Sequence, residues 1–355
     1  MPGSDADIAA FERFYEGRAV CVTGAAGFIG VHLTAALVEL GARVSAIDDL
    51  SNSDGSRLAD LVNRTPETLD FVYGSVLDAR ALAEAAADRE LVFHLAAIGS
   101  VPRSLNDPNR TFEVNALGTV RVLEAARRAG AERLVLSSSS SVYGSSDASR
   151  PQRETDPTRP MSPYAASKLA AEHAAAAHAR SFGLDAASLR YFNVFGPGQP
   201  AGSAYAAVVP AFAEALLAGR GGTVFGTGDQ TRDFTPVDHV VRANLLAGAR
   251  AEPIGGEPVN VGLGRRTSVL ELHTMMARAA ADEGPQAAPH PEPRFENARA
   301  GDVPHSSADT ARARELLGLD PDAVDLEDAL RRTVGWFRDR RDDRDRGVVF
   351  RMAEG

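Results

Sequence analysis

Residues 20–30 read VCVTGAAGFIG, and this stretch predicts the fold of the whole chain. An apolar segment ends at Thr23, and glycines follow at positions 24, 27 and 30, where an apolar helical pattern begins. Glycines at this spacing, directly after a strand and at the start of a helix, permit a tight turn. They also let a diphosphate approach the helix N-terminus. The stretch therefore predicts the first strand and helix of a dinucleotide-binding sheet.

Apolar strands and alanine- or leucine-rich helices alternate after this stretch. The predicted strands cover residues 19–23, 44–47, 69–73, 91–95 and 133–136, and the predicted helices cover residues 28–40, 79–87 and 112–129. A βαβαβ order with buried strands and right-handed crossovers indicates a parallel sheet with helices on both faces. We therefore expect an α/β fold with a doubly wound parallel sheet, the Rossmann arrangement.

The pattern changes after a long predicted helix at residues 163–181 and a strand at 186–192. Short segments broken by glycine and proline follow, which is typical of a smaller domain that wraps a ligand. We expect residues 1–190 to form mainly the dinucleotide domain. Residues 191–355 are expected to form mainly a smaller C-terminal α/β substrate-binding domain, with some segments interleaved. An amphipathic stretch at 8–15 predicts an added N-terminal helix, and residues 338–346 predict a solvated helix end.

Composition limits the kind of partner that the chain can bind. The formal net charge of −10 argues against a nucleic-acid surface. A single cysteine, Cys21, has no disulfide partner, and no apolar run approaches the length of a membrane span. We expect a cytoplasmic protein with no nucleic-acid partner, no membrane and no metal site.

Two further motifs indicate chemistry. The second strand ends at Asp48 and Asp49, eighteen residues after Gly30. A carboxylate there accepts hydrogen bonds from ribose hydroxyls and repels a 2′-phosphate, which favours NAD over NADP. Of six tyrosines, only Tyr164 has a lysine four residues later, Lys168. On a helix that pair shares one face, so the ammonium is expected to lower the pKa of the phenol toward neutrality and make it a general base.

Five serines, residues 137–141, follow the fifth strand. They would face the crevice at the carboxyl ends of parallel strands, where a serine hydroxyl can relay a proton from a sugar to Tyr164. The alternative is an ordinary polar exit from a strand. A general base beside a nicotinamide cofactor predicts a redox enzyme.

These motifs together resemble the extended short-chain dehydrogenase/reductase family. The motifs are TGAAGFIG at 23–30, HLAA at 94–97, NALGT at 115–119, the serines through Gly144, and Tyr164-x-x-x-Lys168. Its nucleotide-sugar branch is indicated by RYFNVFGP at 190–197, RDF at 232–234 and RAGDVP at 299–304. The match runs from about residue 20 to 336 and is most similar to NAD-dependent UDP-hexose 4-epimerases, particularly those acting on N-acetylhexosamine nucleotides.

The resemblance implies residue roles. The catalytic residues would be Ser139, Tyr164 and Lys168, with Lys168 also holding the nicotinamide ribose. The NAD contacts would be Gly24, Gly27, Phe28, Ile29, Gly30, Asp48, Asp49, Asn52, Ser53, Ser75, Val76, Leu95, Ala96, Ala97, Asn115, Tyr164, Lys168 and Tyr191. The UDP-sugar contacts would be Gly99, Ser100, Arg103, Ser139, Ser140, Tyr164, Asn193, Ala207, Val208, Arg232, Arg299, Asp302 and Ser306. One departure is Ser75, since the family usually has an aspartate there that contacts adenine; NAD binding is expected to rest on the other contacts.

The residues after Ser139 bear on the reaction. Relatives that eliminate water have an Asp-Glu pair there, and those that decarboxylate usually keep the glutamate, whereas this chain has Ser140 and Ser141. That favours C4 epimerisation, in which Tyr164 takes the 4-hydroxyl proton and NAD takes the hydride. The 4-keto sugar then turns over and receives the hydride on its other face.

Two positions bear on the substrate. Ser306 stands where galactose-type epimerases have a tyrosine, which leaves room for a 2-acetamido group, and the 99–104 loop resembles the N-acetylhexosamine group. We expect UDP-N-acetylglucosamine, with UDP-glucose as a second substrate. UDP-glucuronate or another nucleotide sugar is an alternative in which Arg103 could pair with a carboxylate. A non-catalytic NAD-sensing regulator is a third possibility.

By resemblance, we expect a homodimer through helices 112–129 and 163–181.

Overall fold

The computed structural model describes residues 5–144, 150–201, 207–281, 291–298 and 303–345. The strands in these ranges are β1 (Ala19–Thr23), β2 (Arg43–Asp48), β3 (Leu69–Tyr73), β4 (Leu91–His94), β5 (Arg133–Ser139), β6 (Asp185–Tyr191), β7 (Val194–Phe195), β8 (Thr223–Phe225), β9 (Thr231–Arg232), β10 (Thr235–Pro236), β11 (Pro258–Val261), β12 (Thr267–Ser268) and β13 (Arg294–Glu296). The α-helices are α1 (Asp5–Tyr15), α2 (Phe28–Glu39), α3 (Ser56–Arg64), α4 (Ala79–Ala86), α5 (Val101–Asn106), α6 (Pro108–Phe112), α7 (Gly118–Arg128), α8 (Pro163–Phe182), α9 (Val208–Leu217), α10 (Val237–Ala249), α11 (Val269–Ala281), α12 (Ala311–Leu317) and α13 (Leu326–Asp345). None of the described helices is both long enough and apolar enough to cross a membrane.

A seven-stranded sheet positions the functional residues. Its strand order is β11-β6-β5-β4-β1-β2-β3, and every pair in it is parallel. The order reverses between β1 and β4, so their carboxyl ends open a crevice in which ligands of such sheets bind. The expected doubly wound α/β fold is confirmed. The seventh strand, β11, comes from beyond residue 191, and the expected division into 1–190 and 191–355 stays a prediction.

Helices cover both faces of the sheet because alternate side chains of each strand point to opposite sides. In β1, Val20 and Val22 belong to a cluster that includes α2 and α10, whereas Cys21 packs in a second cluster with residues of α4, α7 and α8. The N-terminal helix α1 closes the first cluster, where the Tyr15 hydroxyl donates to Leu245 O at 2.7 Å. A third cluster joins α9, α11 and α13 after the main run of strands.

The predicted helix at residues 112–129 differs from the structure. Helix α6 ends at Phe112, a π-helical turn occupies Glu113–Leu117, and α7 starts at Gly118. The wider turn places the Asn115 side chain inward, where its Oδ1 accepts from Ile98 N at 2.8 Å and its Nδ2 donates to Ser167 Oγ at 3.0 Å. Such turns often occur at functional sites. The remaining predicted strands and helices of the sheet are present, with ends that shift by up to three residues.

Candidate active site

The glycine turn after β1 leaves no space for side chains. Gly24 has a φ of +70°, and a Cβ there would lie 2.5 Å from Ala96 N. A Cβ on Gly30 would lie 2.0 Å from Gly24 O, so this glycine permits close packing of α2 on the turn. The turn is therefore built for a close approach of backbone, as a diphosphate requires.

Asp48 holds this turn from the end of β2. Its Oδ2 accepts from Ala26 N at 3.0 Å, and its Oδ1 accepts from Leu50 N at 2.8 Å, where Leu50 takes a φ of +55°. Burial raises the pKa of the carboxyl, while these backbone hydrogen bonds oppose the rise. Asp48 thus has a structural task in addition to the predicted contact with ribose.

A cleft of about 430 Å³ lies against the turn and the ends of β2, β3 and β4. It brings together eleven of the predicted cofactor contacts, namely Gly24, Gly27, Asp48, Asp49, Asn52, Ser53, Ser75, Val76, Leu95, Ala96 and Ala97. We call it the first cavity. Ser75, the departure from the family pattern, lies in its wall, and its Oγ accepts from Leu77 N at 3.3 Å.

The other predicted cofactor contacts lie outside the wall of the first cavity. Phe28 borders a different cavity, while Ile29 and Gly30 lie in α2. Asn115 is buried and links the loop at Ile98 to α8, so it positions this loop rather than lining the cleft. The Tyr191 hydroxyl is buried against Asn244, with oxygen–oxygen and oxygen–nitrogen distances of 3.1 and 2.9 Å.

The catalytic candidates meet where β5 ends. Ser139 Oγ donates to Ser141 Oγ at 3.0 Å and accepts from Ser141 N at 3.2 Å. The Ser139 hydroxyl also lies near enough to the Tyr164 phenol to lower its pKa. Helix α8 begins just before this tyrosine because Pro163 occupies the first turn and Ser162 caps it, with its side chain accepting from Ala165 N at 3.2 Å.

The expected pKa of Tyr164 is wrong for this structure. Burial raises the pKa of the phenol, and the influence that lowers it is the hydrogen bond with Ser139. The Lys168 ammonium instead donates to Ser137 O at 2.8 Å, and burial lowers its own pKa to about 8. The i,i+4 spacing places both residues on one side of α8. The spacing alone predicts neither the burial of the two side chains nor the direction of the Lys168 ammonium.

A buried ion pair, which the sequence reasoning missed, lies behind these residues. Arg190 donates to both carboxylate oxygens of Glu172, through Nε at 2.9 Å and Nη2 at 2.7 Å. Glu172 also accepts from Ser138 Oγ at 2.5 Å, and its charge opposes the burial effect on the Lys168 pKa. Glu172 is four residues after Lys168 on α8, a spacing that could have suggested the role. The pair joins the serine strand to the catalytic helix.

A second cavity of about 760 Å³ collects several of the predicted substrate contacts. These are Gly99, Ser100, Asn193, Ala207, Val208 and Arg232. Arg232 Nη1 donates to Thr231 O at 2.9 Å. Sequence reasoning missed Phe225 and Gln230, which also line the wall. Residues 95–98 border the first cavity and residues 99–102 border the second, so one loop passes between them.

The remaining predicted substrate contacts are placed differently. Arg103 lies in the wall of the first cavity, where its Nη1 donates to Asn52 Oδ1, and not in the second cavity. Its long side chain crosses toward this carbonyl oxygen, which the loop sequence does not show. Ser306 and Ser140 border neither cavity, and Ser306 Oγ donates to Gln152 Oε1 at 3.3 Å. Arg299 and Asp302 lie outside the described residues.

The sheet order explains how these parts can work together. Strand β4 leads into the wall of the first cavity, β6 leads to Asn193 in the second, and β5 lies between β4 and β6. Ser139 and Tyr191 are register partners at the ends of β5 and β6. Ser139 and Tyr164 line neither cavity, but β5 places the serine in the sheet between the strands that lead to the two cavities. Among the described residues, no cluster of three or more His, Cys, Asp or Glu residues could hold a metal.

Comparison with known proteins gives consistent matches over most of the chain. The model of the NAD dependent epimerase/dehydratase family matches residues 20–262. A UDP-glucose 4-epimerase from Mycolicibacterium smegmatis is 43% identical over 322 residues, covering 90% of this chain and 98% of that protein.

Solved structures support the same grouping. A UDP-N-acetylglucosamine 4-epimerase from Methanobrevibacter ruminantium, in complex with UDP-N-acetylmuramic acid, has a TM-score of 0.84 and 34% identity, covering 92% of this chain and 99% of its own. A dTDP-glucose 4,6-dehydratase from Streptomyces venezuelae, solved with NAD bound, has a TM-score of 0.80 and 32% identity, covering 91% of this chain and 98% of its own. The residues that the family model matches include the glycine turn and the serine strand.

Proposed function

The chain belongs to the NAD-dependent epimerase/dehydratase family, and from this premise we propose that it inverts C4 of a UDP-hexose. Its favoured pair would be UDP-N-acetylglucosamine and UDP-N-acetylgalactosamine, with UDP-glucose and UDP-galactose as a second pair. The observation that carries the proposal is the proximity of the Ser139 hydroxyl to the Tyr164 phenol at the end of β5, with Ser140 and Ser141 in place of carboxylates. The cofactor is NAD, and the glycine turn, Asp48 and the first cavity fit a dinucleotide.

Each catalytic residue has a separate role in the proposed reaction. Tyr164 takes the proton of the sugar 4-hydroxyl, and Ser139 holds the phenol and relays that proton. Bound NAD would supply the acceptor and donor of the C4 hydride. Lys168 fixes the end of β5 through Ser137 O. Elimination of water or CO₂ needs a further acid or base beside the sugar, and the serine hydroxyls of residues 140 and 141 are poor substitutes.

Arginine placement argues against glucuronate as the main substrate. A sugar carboxylate needs a cationic partner, and arginine is the usual one. Among the described residues of the second cavity, Arg232 is the only arginine, and Arg103 points into the first cavity instead. UDP-glucuronate 4-epimerase remains the second candidate, because Arg299 lies outside the described residues.

One experiment tests the proposal directly. Purified protein is incubated with UDP-N-acetylglucosamine, UDP-glucose and UDP-glucuronate in separate reactions, and NMR resolves the products. We expect the C4 epimer of the first two without net formation of NADH. A 4-keto-6-deoxy or decarboxylated product would contradict the epimerase proposal. If the protein with NAD bound turns over none of the three sugars, the alternative of a non-catalytic NAD-sensing regulator is favoured.

The size of the sugar pocket gives a further prediction. Ser306 borders neither cavity, but its backbone N donates to Thr231 O at 3.1 Å, next to the cavity residue Arg232, and a tyrosine here tests whether position 306 limits the sugar pocket. We expect Ser306→Tyr to shift the ratio of kcat/KM for the two substrates at least about tenfold toward UDP-glucose, because overpacking commonly costs about 1–3 kcal/mol. Steady-state kinetics with both substrates measures this ratio. An equal loss on both, or no loss, would place Ser306 outside the sugar pocket.

We also propose that the protein is a cytoplasmic homodimer. Apolar side chains are exposed beside α7: Leu105, Phe112 and Leu117 are 64%, 40% and 45% exposed. A patch of this kind on one side of a helix pair commonly marks an interface between subunits.

Light scattering should give twice the 37.4 kDa of one chain at micromolar concentration. We expect Leu117→Asp to yield monomers, because a carboxylate at the centre of an apolar interface is costly to desolvate. Phe295→Asp, at a side chain that is 53% exposed on β13, is the matched control and should remain dimeric. A wild-type monomer would contradict the proposal.

A further inference from the structure

A third cavity of about 700 Å³ lies beside the glycine turn and shares Gln199 with the second cavity. Its wall is formed by Ala26 and Phe28, the loop before α3, the segment 198–201, and residues of α9 and α13. Asn52 and Ser53 border both this cavity and the first one, so a single loop separates the two. None of the predicted substrate contacts lines it.

Positive charge dominates the wall of this cavity. It contains four arginines, Arg57, Arg220, Arg340 and Arg341, and two carboxylates, Asp54 and Glu214. Within the described residues, none of the four guanidinium groups forms an ion pair. The Asp54 Oδ1 accepts from Ser56 N at 3.0 Å and from Ser56 Oγ at 2.8 Å, and the charges of Arg57 and Arg340 lower the pKa of this carboxyl. The wall therefore carries more cationic than anionic groups.

Arg57 is the most informative of these residues. Its Nη1 is buried and has no hydrogen-bond partner among the described residues. Its Nη2 lies 3.2 Å from His32 Nε2, but this nitrogen is also 2.7 Å from Pro197 O. A carbonyl oxygen can only accept, so His32 Nε2 must carry a hydrogen and cannot accept from Arg57. The guanidinium consequently lacks an acceptor on both of these nitrogens.

The surrounding groups make this arrangement costly for the protein alone. Burial lowers the pKa of Arg57, and the Arg340 charge lowers it further. Arg340 itself lies over the Trp336 ring, 4.9 Å from its centroid. Gly198 makes the site possible, because a Cβ there would lie 1.8 Å from Arg57 Nη1. A partly buried guanidinium without acceptors is unfavourable unless a ligand supplies them.

We propose that this arginine-lined cavity is a phosphate-binding site in which Arg57 pairs with a phosphate or diphosphate group. Phosphate oxygens supply the missing acceptors in the planar geometry that a guanidinium matches, and they neutralise the repulsion from Arg340. The group could belong to the diphosphate of bound NAD, reached past Asn52 and Ser53, or to a separate phosphate anion. The charge of this wall and the missing acceptors of Arg57 do not depend on the sugar chemistry, so the phosphate proposal holds whether or not the epimerase proposal is correct.

Calorimetric titration with inorganic pyrophosphate tests the site. We expect Arg57→Gln to raise the Kd for pyrophosphate at least about tenfold, because a charge-assisted hydrogen bond is lost. Arg64→Gln, an exposed arginine at the other end of α3, is the matched control and should bind as the wild type does. Arg340→Gln should weaken binding by a smaller factor. Arg57→Gln should leave the melting temperature of the ligand-free protein unchanged or higher, because it removes an unpaired charge.

The titration is repeated with NAD-saturated protein to identify the source of the phosphate. Loss of the Arg57-dependent binding would assign the cavity to the cofactor diphosphate, and its persistence would assign it to a separate anion. The proposal is overturned if wild-type protein does not bind pyrophosphate in either form. It is also overturned if Arg57→Gln and Arg64→Gln bind it equally. No sugar substrate is involved, so failure here is distinct from failure of the epimerase proposal.

Discussion

Replacing Tyr164 by phenylalanine is expected to lower kcat by about a thousandfold. The Ser139 hydroxyl acts on the pKa of the phenol, and we propose that Tyr164 removes the proton of the sugar 4-hydroxyl. General acid–base catalysis commonly contributes about 10²- to 10⁴-fold, and phenylalanine retains the ring while losing the proton path. The Kd of the UDP-sugar should therefore change little. Steady-state kinetics and calorimetric binding measure the two quantities separately.

The pH dependence adds a readout that a structural defect would not produce. Because burial raises the pKa of Tyr164, the phenolate fraction grows toward alkaline pH, and wild-type kcat/KM should rise in that direction. Tyr164→Phe should lack this rise. Tyr143→Phe is the matched control: its hydroxyl donates to Asn260 Oδ1 at 2.6 Å, so its loss affects stability but not the pH profile. A Tyr164→Phe enzyme within about tenfold of wild type would contradict the role of base.

The sequence allowed the sheet and the position of the cofactor cleft to be predicted because both depend on local patterns. The glycines after an apolar strand and the carboxylate at the end of the next strand predicted the cleft, the resemblance added further contacts, and eleven of all these contacts line one cleft. The doubly wound arrangement followed from the alternation of strands and helices with right-handed crossovers. Family resemblance then gave the catalytic positions.

The parts that could not be predicted depend on burial and on contacts between distant residues. The Tyr164–Lys168 spacing suggested that the ammonium lowers the pKa of the phenol, but Lys168 donates to Ser137 O and burial controls both groups. The π-helical turn around Asn115 has no signal in a helical pattern. Arg103 likewise extends to the neighbouring cavity, because a side chain of that length can reach either one.

The ion pair between Glu172 and Arg190 leads to the second large effect. Both side chains are buried, and Arg190 donates two hydrogen bonds to the carboxylate at 2.9 and 2.7 Å. We expect Arg190→Met to lower the free energy of unfolding by about 3–5 kcal/mol, because the buried Glu172 carboxylate loses its ion pair and keeps, among the described residues, one hydrogen-bond donor, Ser138 Oγ. Urea denaturation followed by fluorescence or circular dichroism measures this change.

Two controls distinguish an unpaired charge from simple loss of packing. Arg180 lies on α8, as Glu172 does, and forms an exposed ion pair to Glu257 with a nitrogen–oxygen distance of 3.6 Å. Arg180→Met removes this pair and should change the free energy of unfolding by less than about 1 kcal/mol. The double variant Arg190→Met with Glu172→Leu removes both charges and should recover most of the lost stability, because a buried pair can often be replaced by apolar residues of similar volume. The Arg190 guanidinium also lies over the Tyr143 ring, 4.8 Å from its centroid. If the double variant is as unstable as Arg190→Met alone, the loss comes from this packing and not from the Glu172 charge. Recovery of stability without recovery of kcat would show that the pair also holds Ser138, and through it the end of β5, in position for Ser139 and Tyr164.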